Sequence, residues 1–145
     1  MSTIGFDTSN YTTSTAWTDG KTDINVRQIL YVKDGERGIR QSDGVFQHMK
    51  LMPVMYEKMS EQIDFKDVKA VGVSTRPRCV EGSYMPVFLA GEGYAKVVAN
   101  TLGVPLYEFS HQDGHIMAGI YSSGSFELLE NDFISVHLSG GTTEI

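Results

Sequence analysis

The sequence predicts an α/β fold on a mixed sheet, with a three-strand antiparallel meander followed by α/β crossovers. Three observations carry this. The first 33 residues hold three β-rich runs separated by short turns. Apolar residues then recur at helical spacing, and beyond residue 68 short apolar runs alternate with longer helical segments. Strands joined by tight turns run antiparallel, strands joined through a helix run parallel, and the helices then cover the sheet.

Thr3 to Thr8 reads as the first strand, and Tyr11 to Thr18, rich in threonine with Tyr11 and Trp17, as the second. Asp19-Gly20-Lys21 is a turn signal, and Asn25 to Lys33 reads as the third strand, closed by Asp34-Gly35. Val45, Met49, Met52, Met55, Tyr56 and Met59 follow a helical period, so a helix is expected over Ser42 to Gln62, with Pro53 kinking or dividing it. The methionine stripe suits core filling better than metal binding. Val68 to Ser74 is a short strand of buried type. Tyr84 to Leu102 is an apolar helix whose Ala90, Gly91, Gly93, Ala95 and Ala99 permit close packing on a sheet. Val104 to Phe109 is the next strand and His111 to Tyr121 the next helix, ended by Ser122-Ser123-Gly124-Ser125. Phe133 to Leu138 is the last expected strand, and Ser139-Gly140-Gly141-Thr142-Thr143 follows it.

With 145 residues, 41% hydrophobic and 21% charged, the chain is globular and able to bury a core. A net charge of −6 argues against a surface that attracts nucleic acid as a whole, and DNA is not an expected partner. Cys79 is the single cysteine, so no internal disulfide forms, and it reads as a small buried residue without a partner base. No apolar run approaches the roughly 20 residues that cross a bilayer. Met1-Ser2-Thr3 leads straight into a strand, so no signal peptide is expected and a cytoplasmic location follows.

Four segments are able to carry chemistry. His111 and His115 stand four apart, and on a helix their side chains share a face at roughly 5–6 Å between Cβ atoms, a spacing from which two imidazoles can ligate one metal ion. Asp113 between them faces another way and suits an orienting role, as does Asp7. Asp7-Thr8-Ser9 at the first hairpin and Ser139-Gly140-Gly141-Thr142 after the last strand offer hydroxyls and backbone N–H groups to a phosphate or ribose. Arg76 and Arg78 lie between a strand and a helix, where an α/β sheet places its ligands, and are a possible anion site. Gln112 occupies the position of the zincin glutamate, so the HExxH protease pattern is absent.

Taken together these segments resemble the TsaD/Gcp glycoprotease family of the actin-like ATPase superfamily. Ile4-Gly5-Phe6-Asp7-Thr8-Ser9 is similar to the family's opening G-[IL]-[ED]-T-S, Pro105 to His115 to its strand and H-x-E-G-H motif with Asp113 for Glu, and Val136 to Thr143 to V-S-G-G-H-T. The resemblance implies an actin-like (ribonuclease H-like) lobe over residues 1–131, with residues 132–145 opening a second lobe. It implies transfer of threonylcarbamoyl from its adenylate to N6 of adenosine 37 in tRNA. A divalent metal, zinc or iron, would be held by His111, His115 and an aspartate of the second lobe, and an adenine nucleotide or acyl-adenylate by His137, Leu138, Ser139, Gly140, Gly141 and Thr142 with Thr8 and Ser9. A TsaB-like paralogue or a second copy is the expected protein partner. The chain differs from the family pattern at Asn10-Tyr11-Thr12-Thr13, where the family has Cys-Asp-Glu-Thr, at Thr142 for histidine, and at Arg76-Pro77-Arg78 for an apolar glycine-containing loop. These differences leave two other readings: a nucleotide-dependent carbamoyl or phosphoryl transferase acting on a small molecule, and a non-catalytic regulatory or scaffold paralogue.

Overall fold

The computed structural model describes residues 1–138 and the backbone of Thr143 and Glu144. Strands β1 (Ser2–Ser9), β2 (Thr12–Thr18) and β3 (Asp23–Ile29) form the meander. Helix α1 (Gln41–Ser60), strand β4 (Val68–Arg76), helix α2 (Phe88–Leu102), strand β5 (Leu106–Ser110) and helix α3 (His111–Ser123) follow. The five strands lie in the order β3-β2-β1-β4-β5; the meander pairs are antiparallel, and β1, β4 and β5 are parallel. The mixed sheet is the one expected.

Strand β1 alternates strictly between buried and half-buried residues, because one face packs on helices. Ile4 and Phe6 of β1, Val71 and Val73 of β4, Met52 and Met59 of α1, and Ala95 and Ala99 of α2 form the core. The buried stripe of α1 is Gly44, His48, Met52, Met55 and Met59, whereas Met49 is exposed. His48, between Gln47 and Lys50 in the sequence, faces inward. Two close approaches seat the helices. A Cβ on Gly91 would come within 2.8 Å of the Thr8 hydroxyl, and one on Gly44 within 2.8 Å of Val87.

Helix α1 runs through Pro53 without division. Proline has no N–H to donate to the carbonyl four residues earlier. That carbonyl belongs to Met49, and it accepts instead from the Tyr94 hydroxyl of α2 at 2.9 Å. A side chain from the neighbouring helix therefore replaces the missing backbone bond.

Helix α2 begins at Phe88, four residues later than expected. Pro86 disfavours helical backbone at the residue before it, so Met85 opens a turn, its carbonyl accepting the Phe88 N–H at 3.2 Å, and the helix starts beyond the proline. Two 3-10 turns, Phe65–Asp67 and Phe126–Glu130, are additions to the expected elements. The expected strand Phe133–Leu138 is shorter. Only His137 and Leu138 are extended partners (β6), pairing antiparallel with Thr143 and Glu144 (β7), while Ile134 and Val136 are exposed. Without a ladder partner, apolar residues alone do not make Phe133 to Val136 a strand. Cys79 is exposed, a correction to its expected burial: it lies in the loop between β4 and α2 and lines no core.

Candidate metal and ligand site

The parallel strands β1, β4 and β5 end at one edge of the sheet, where an α/β fold places ligands. Their carboxyl ends carry Asp7, the Ser74–Arg76 stretch and Ser110–His111.

Ser110 sits in extended backbone and caps α3. Its hydroxyl accepts from the Asp113 N–H at 3.1 Å, and the Asp113 carboxylate accepts from the Ser110 N–H at 2.8 Å. This reciprocal capping box fixes the start of the helix and hence the direction of His111. Asp113 is thus engaged with the backbone, and neither imidazole is among its hydrogen-bond partners. The spacing Ser-x-x-Asp ahead of a helical run is a legible sign of that cap. The Gln112 N–H donates to the Pro77 carbonyl at 3.1 Å, tying α3 to the β4–α2 loop.

One turn of helix brings His115 beside His111, with ring centres 4.3 Å apart and nearly perpendicular. The His111 Nδ1 is 2.7 Å from Asp7 Oδ2, a contact across 104 residues that only the sheet creates. The Asp7 carboxylate also accepts the Ser9 N–H at 2.8 Å. Burial pushes the Asp7 carboxyl up. The His111 hydrogen bond and charge, with bonds from Ser74 and Ser9, outweigh burial and hold it below the usual carboxylate range. His115 is pushed down, first by burial and then by the charges of His111 and His137.

His137 stacks against His115 with ring centres 5.1 Å apart, and Phe88 packs 6.1 Å from the His111 ring. Leu138 points to solvent. Ser139, Gly140, Gly141 and Thr142, expected to touch a nucleotide, lie outside the described residues.

Thr8 is fully buried. Its hydroxyl donates to the Val87 carbonyl at 2.9 Å and accepts the Gly91 N–H at 3.0 Å, so it is engaged with the first turn of α2. The Ser9 side chain stays half-buried at the hairpin. Arg76 is half-buried; its guanidinium donates to Thr75 Oγ1 at 3.2 Å and reaches Cys79 Sγ at 3.9 Å. Arg78 is exposed, and its N–H donates to the Ser83 hydroxyl.

Sequence reasoning missed His48. It is fully buried, with Nδ1 2.7 Å from the Thr13 hydroxyl, and its Nε2 has no partner among the described residues. Burial lowers its pKa; the Ser9 backbone and the Asp7 charge oppose that shift only in part. A histidine at i+4 from Gly44 and i−4 from Met52 is the signal that could have found it.

The donor chemistry suits an open metal site better than a closed one. His111 is held at Nδ1 by a carboxylate, which leaves Nε2 as its donor and orients the ring, the arrangement typical of a ligating histidine. His115 stands alongside. Among the described residues no group of three or more His, Cys, Asp or Glu is arranged to hold an ion, so two donors are in place and further positions are open. Among the described residues, no helix is long and apolar enough to cross a membrane.

Comparison with known proteins bears on the family and the fold. The family model described as TsaD, tRNA N6-adenosine threonylcarbamoyltransferase, matches residues 36–145. The chain is 28% identical over 144 residues to the tRNA N6-adenosine threonylcarbamoyltransferase of Pyrobaculum calidifontis, covering 98% of this chain and 40% of that protein. It is 31% identical over 96 residues to the one from Christiangramia forsetii, covering 66% of this chain and 27% of that protein. A protein of the same name from Moorella thermoacetica is 35% identical over 100 residues, 68% of this chain and 27% of that one. The chain thus spans between about a quarter and two-fifths of these relatives. Among solved structures, YeaZ from Pseudomonas aeruginosa matches with a TM-score of 0.53 at 15% identity, over 76% of this chain and 43% of that one. A second, described as an uncharacterized protein with similarity to peptidase YEAZ from Pseudomonas aeruginosa, matches with a TM-score of 0.55 at 14% identity, over 75% of this chain and 43% of that one. These two bear on the fold alone. On the family match, which covers residues 36–145, the chain belongs to the TsaD family of tRNA N6-adenosine threonylcarbamoyltransferases.

Proposed function

We propose that this chain is the first lobe, residues 1–131, of a metal-dependent threonylcarbamoyltransferase acting on adenosine 37 of tRNA, with residues 132–145 opening a second lobe. The observation that carries the reading is the Asp7–His111 hydrogen bond beside His115, at the carboxyl ends of three parallel strands. His111 and His115 are the proposed metal ligands, and zinc or iron suits imidazole donors. Once bound, the ion would supply Lewis-acid polarisation of a phosphoryl or carbonyl oxygen of the acyl-adenylate.

The chain's own residues set up that chemistry. The capping box aims His111, and Asp7 holds its tautomer with Nδ1 occupied. Thr8 fixes β1 to the start of α2, so that Asp7 meets His111 in one register. Ser9 and the Ser139–Thr142 run are proposed for the nucleotide, and Arg76 and Arg78 for an anionic group, either substrate phosphate or tRNA backbone. No side chain is assigned as general base. A TsaB-like paralogue or a second copy is the proposed protein partner; the exposed Phe46, Met49 and Val54 of α1 and Leu89 and Val97 of α2 support a covered helical face. Work on tRNA would place the protein in the cytoplasm.

The test is metal analysis and transfer assays on the complete gene product. One ion per chain and transfer to A37 are expected, with both lost in the His111→Ala/His115→Ala variant. Equal metal content in wild type and variant would overturn the site. Turnover of a small-molecule acceptor without any transfer to tRNA would reassign the substrate. A stable heterodimer with no turnover on either acceptor would make the chain a scaffold.

A further inference from the structure

We propose that His48 is a positioning residue for the ligand site, its Nε2 holding the Ser9 carbonyl from the helix side of the sheet when ligand is bound. This rests on the reading above, in which Ser9 meets the nucleotide, and extends it to the helix layer behind the hairpin. His48 lies in α1 and is fully buried, with Nδ1 2.7 Å from the hydroxyl of Thr13, which is fully buried too. Its Nε2 has no hydrogen-bond partner among the described residues. A buried polar atom left unpaired costs free energy, and such atoms collect where a structure has a second arrangement to adopt.

Strand pairing places that second arrangement. Thr8 pairs with Thr13, and Ser9 with Thr12, across the hairpin. Thr8 and Thr13 face the helices, where Thr8 meets α2 and Thr13 meets His48. Asp7 and Ser9 alternate to the other face, where Asp7 meets His111. The backbone of Ser9 is thus the layer between His48 and the site. Its N–H donates to Asp7 Oδ1 at 2.8 Å. A backbone group of Ser9 favours the protonated form of His48, so it is an acceptor, the carbonyl. A carbonyl has two lone pairs, so pairing with β2 does not exhaust it. Burial keeps the His48 ring neutral, with one N–H to give. With that proton on Nε2, Nδ1 accepts from the Thr13 hydroxyl.

The turn itself is open to being set from outside. Neither Asn10 nor Tyr11 has a positive φ, so the hairpin lacks the I′ or II′ turn whose twist matches its strands unaided. One face of α1 supplies the holds. Two helical turns before His48, Gln41 donates to Asn10 Oδ1 at 2.9 Å and accepts the Val87 N–H at 3.4 Å. Gln41 fixes the tip of the hairpin, and His48 fixes its base. His48 touches neither ligand nor reacting atoms; it acts through Ser9 and, beyond Ser9, on Asp7.

Two substitutions separate the ring nitrogens. Asparagine puts an amide near Nδ1 and keeps the Thr13 bond, whereas glutamine reaches the place of Nε2. The experiment is calorimetric titration of the complete gene product with an acyl-sulfamoyl adenosine, a stable mimic of an acyl-adenylate, with circular dichroism as the check on folding. His48→Asn should bind about three- to tenfold more weakly than wild type, the contribution of one hydrogen bond, and His48→Gln should stay within about twofold. NMR of the ring nitrogens reads the same assignment in wild type, without a substitution: Nε2 should carry the proton, and its resonance should move when the mimic is added. Wild-type affinity in His48→Asn, equal weakening in both variants, or a proton on Nδ1 would overturn the positioning role and leave the ligand site standing. A wild-type protein that binds no mimic would overturn the nucleotide reading and this inference together.

Discussion

Replacing Thr8 by valine isolates the role that the structure assigns to its hydroxyl. Valine keeps the shape and removes one oxygen. That oxygen bridges the Val87 carbonyl at 2.9 Å and the Gly91 N–H at 3.0 Å in a fully buried position. Each hydrogen bond of this kind contributes about 1 kcal/mol net, and a buried group left unpaired costs about 1–3 kcal/mol. The Val87 carbonyl keeps the Ala90 N–H at 3.4 Å, so the Gly91 N–H is the group that loses its partner. The expected cost is therefore about 2–4 kcal/mol, against a total stability of roughly 5–15 kcal/mol. In a chain of this size that lowers Tm by roughly 6–14 °C. Thr8→Ser keeps the oxygen, loses a methyl group, and should cost about 1 kcal/mol. Gly91→Ala should resemble Thr8→Val, because its new Cβ would meet the hydroxyl at 2.8 Å. Urea unfolding followed by circular dichroism measures all three. A Thr8→Val chain within 0.5 kcal/mol of wild type would refute the bridge and return Thr8 to the ligand-contacting residues.

Pro53 and Tyr94 should be coupled: Tyr94→Phe is expected to cost about 0.5–1.5 kcal/mol in wild type and clearly less with Pro53→Ala, where a restored N–H serves the Met49 carbonyl; equal costs in both backgrounds would show no replacement. Asp7→Asn should weaken metal binding about 10–100-fold with the fold intact, since the amide holds the His111 ring less firmly, and calorimetric titration with Zn²⁺ reads it. Acid should destabilise the chain in two windows. The His48 pKa is lowered from 6.5 in the folded state, so below 6.5 the unfolded chain takes up a proton that the native chain refuses, and stability falls with pH until the folded value is passed. His115 acts in the same direction, so the readout is the difference: His48→Gln should lose less stability than wild type between neutral and mildly acidic pH. Asp7, lowered from 3.8, gives stability that is present above 3.8 and lost as pH falls through its folded value. A wild-type chain equally stable at pH 7 and at pH 5 would contradict the His48 assignment.

Period and punctuation in the chain suffice for the element order, the mixed sheet, the small-residue face of α2 apart from Gly93, which is exposed, and the placing of His111 and His115 on one helical face, because each depends on residues within a turn or two of one another. The Ser110–Asp113 cap is local in the same sense. Tertiary packing decides the rest. Pro53 stays inside α1 because a tyrosine from another helix reaches its orphaned carbonyl. Thr8 belongs to α2 because parallel pairing of β1 and β4 lays that helix across it. Asp7 meets His111 across 104 residues, and His137 reaches His115 from a separate two-strand ladder. A one-dimensional pattern names which side chains are able to bond. Which of them do so depends on where the sheet brings distant backbone together, and that is a property of the whole packed core.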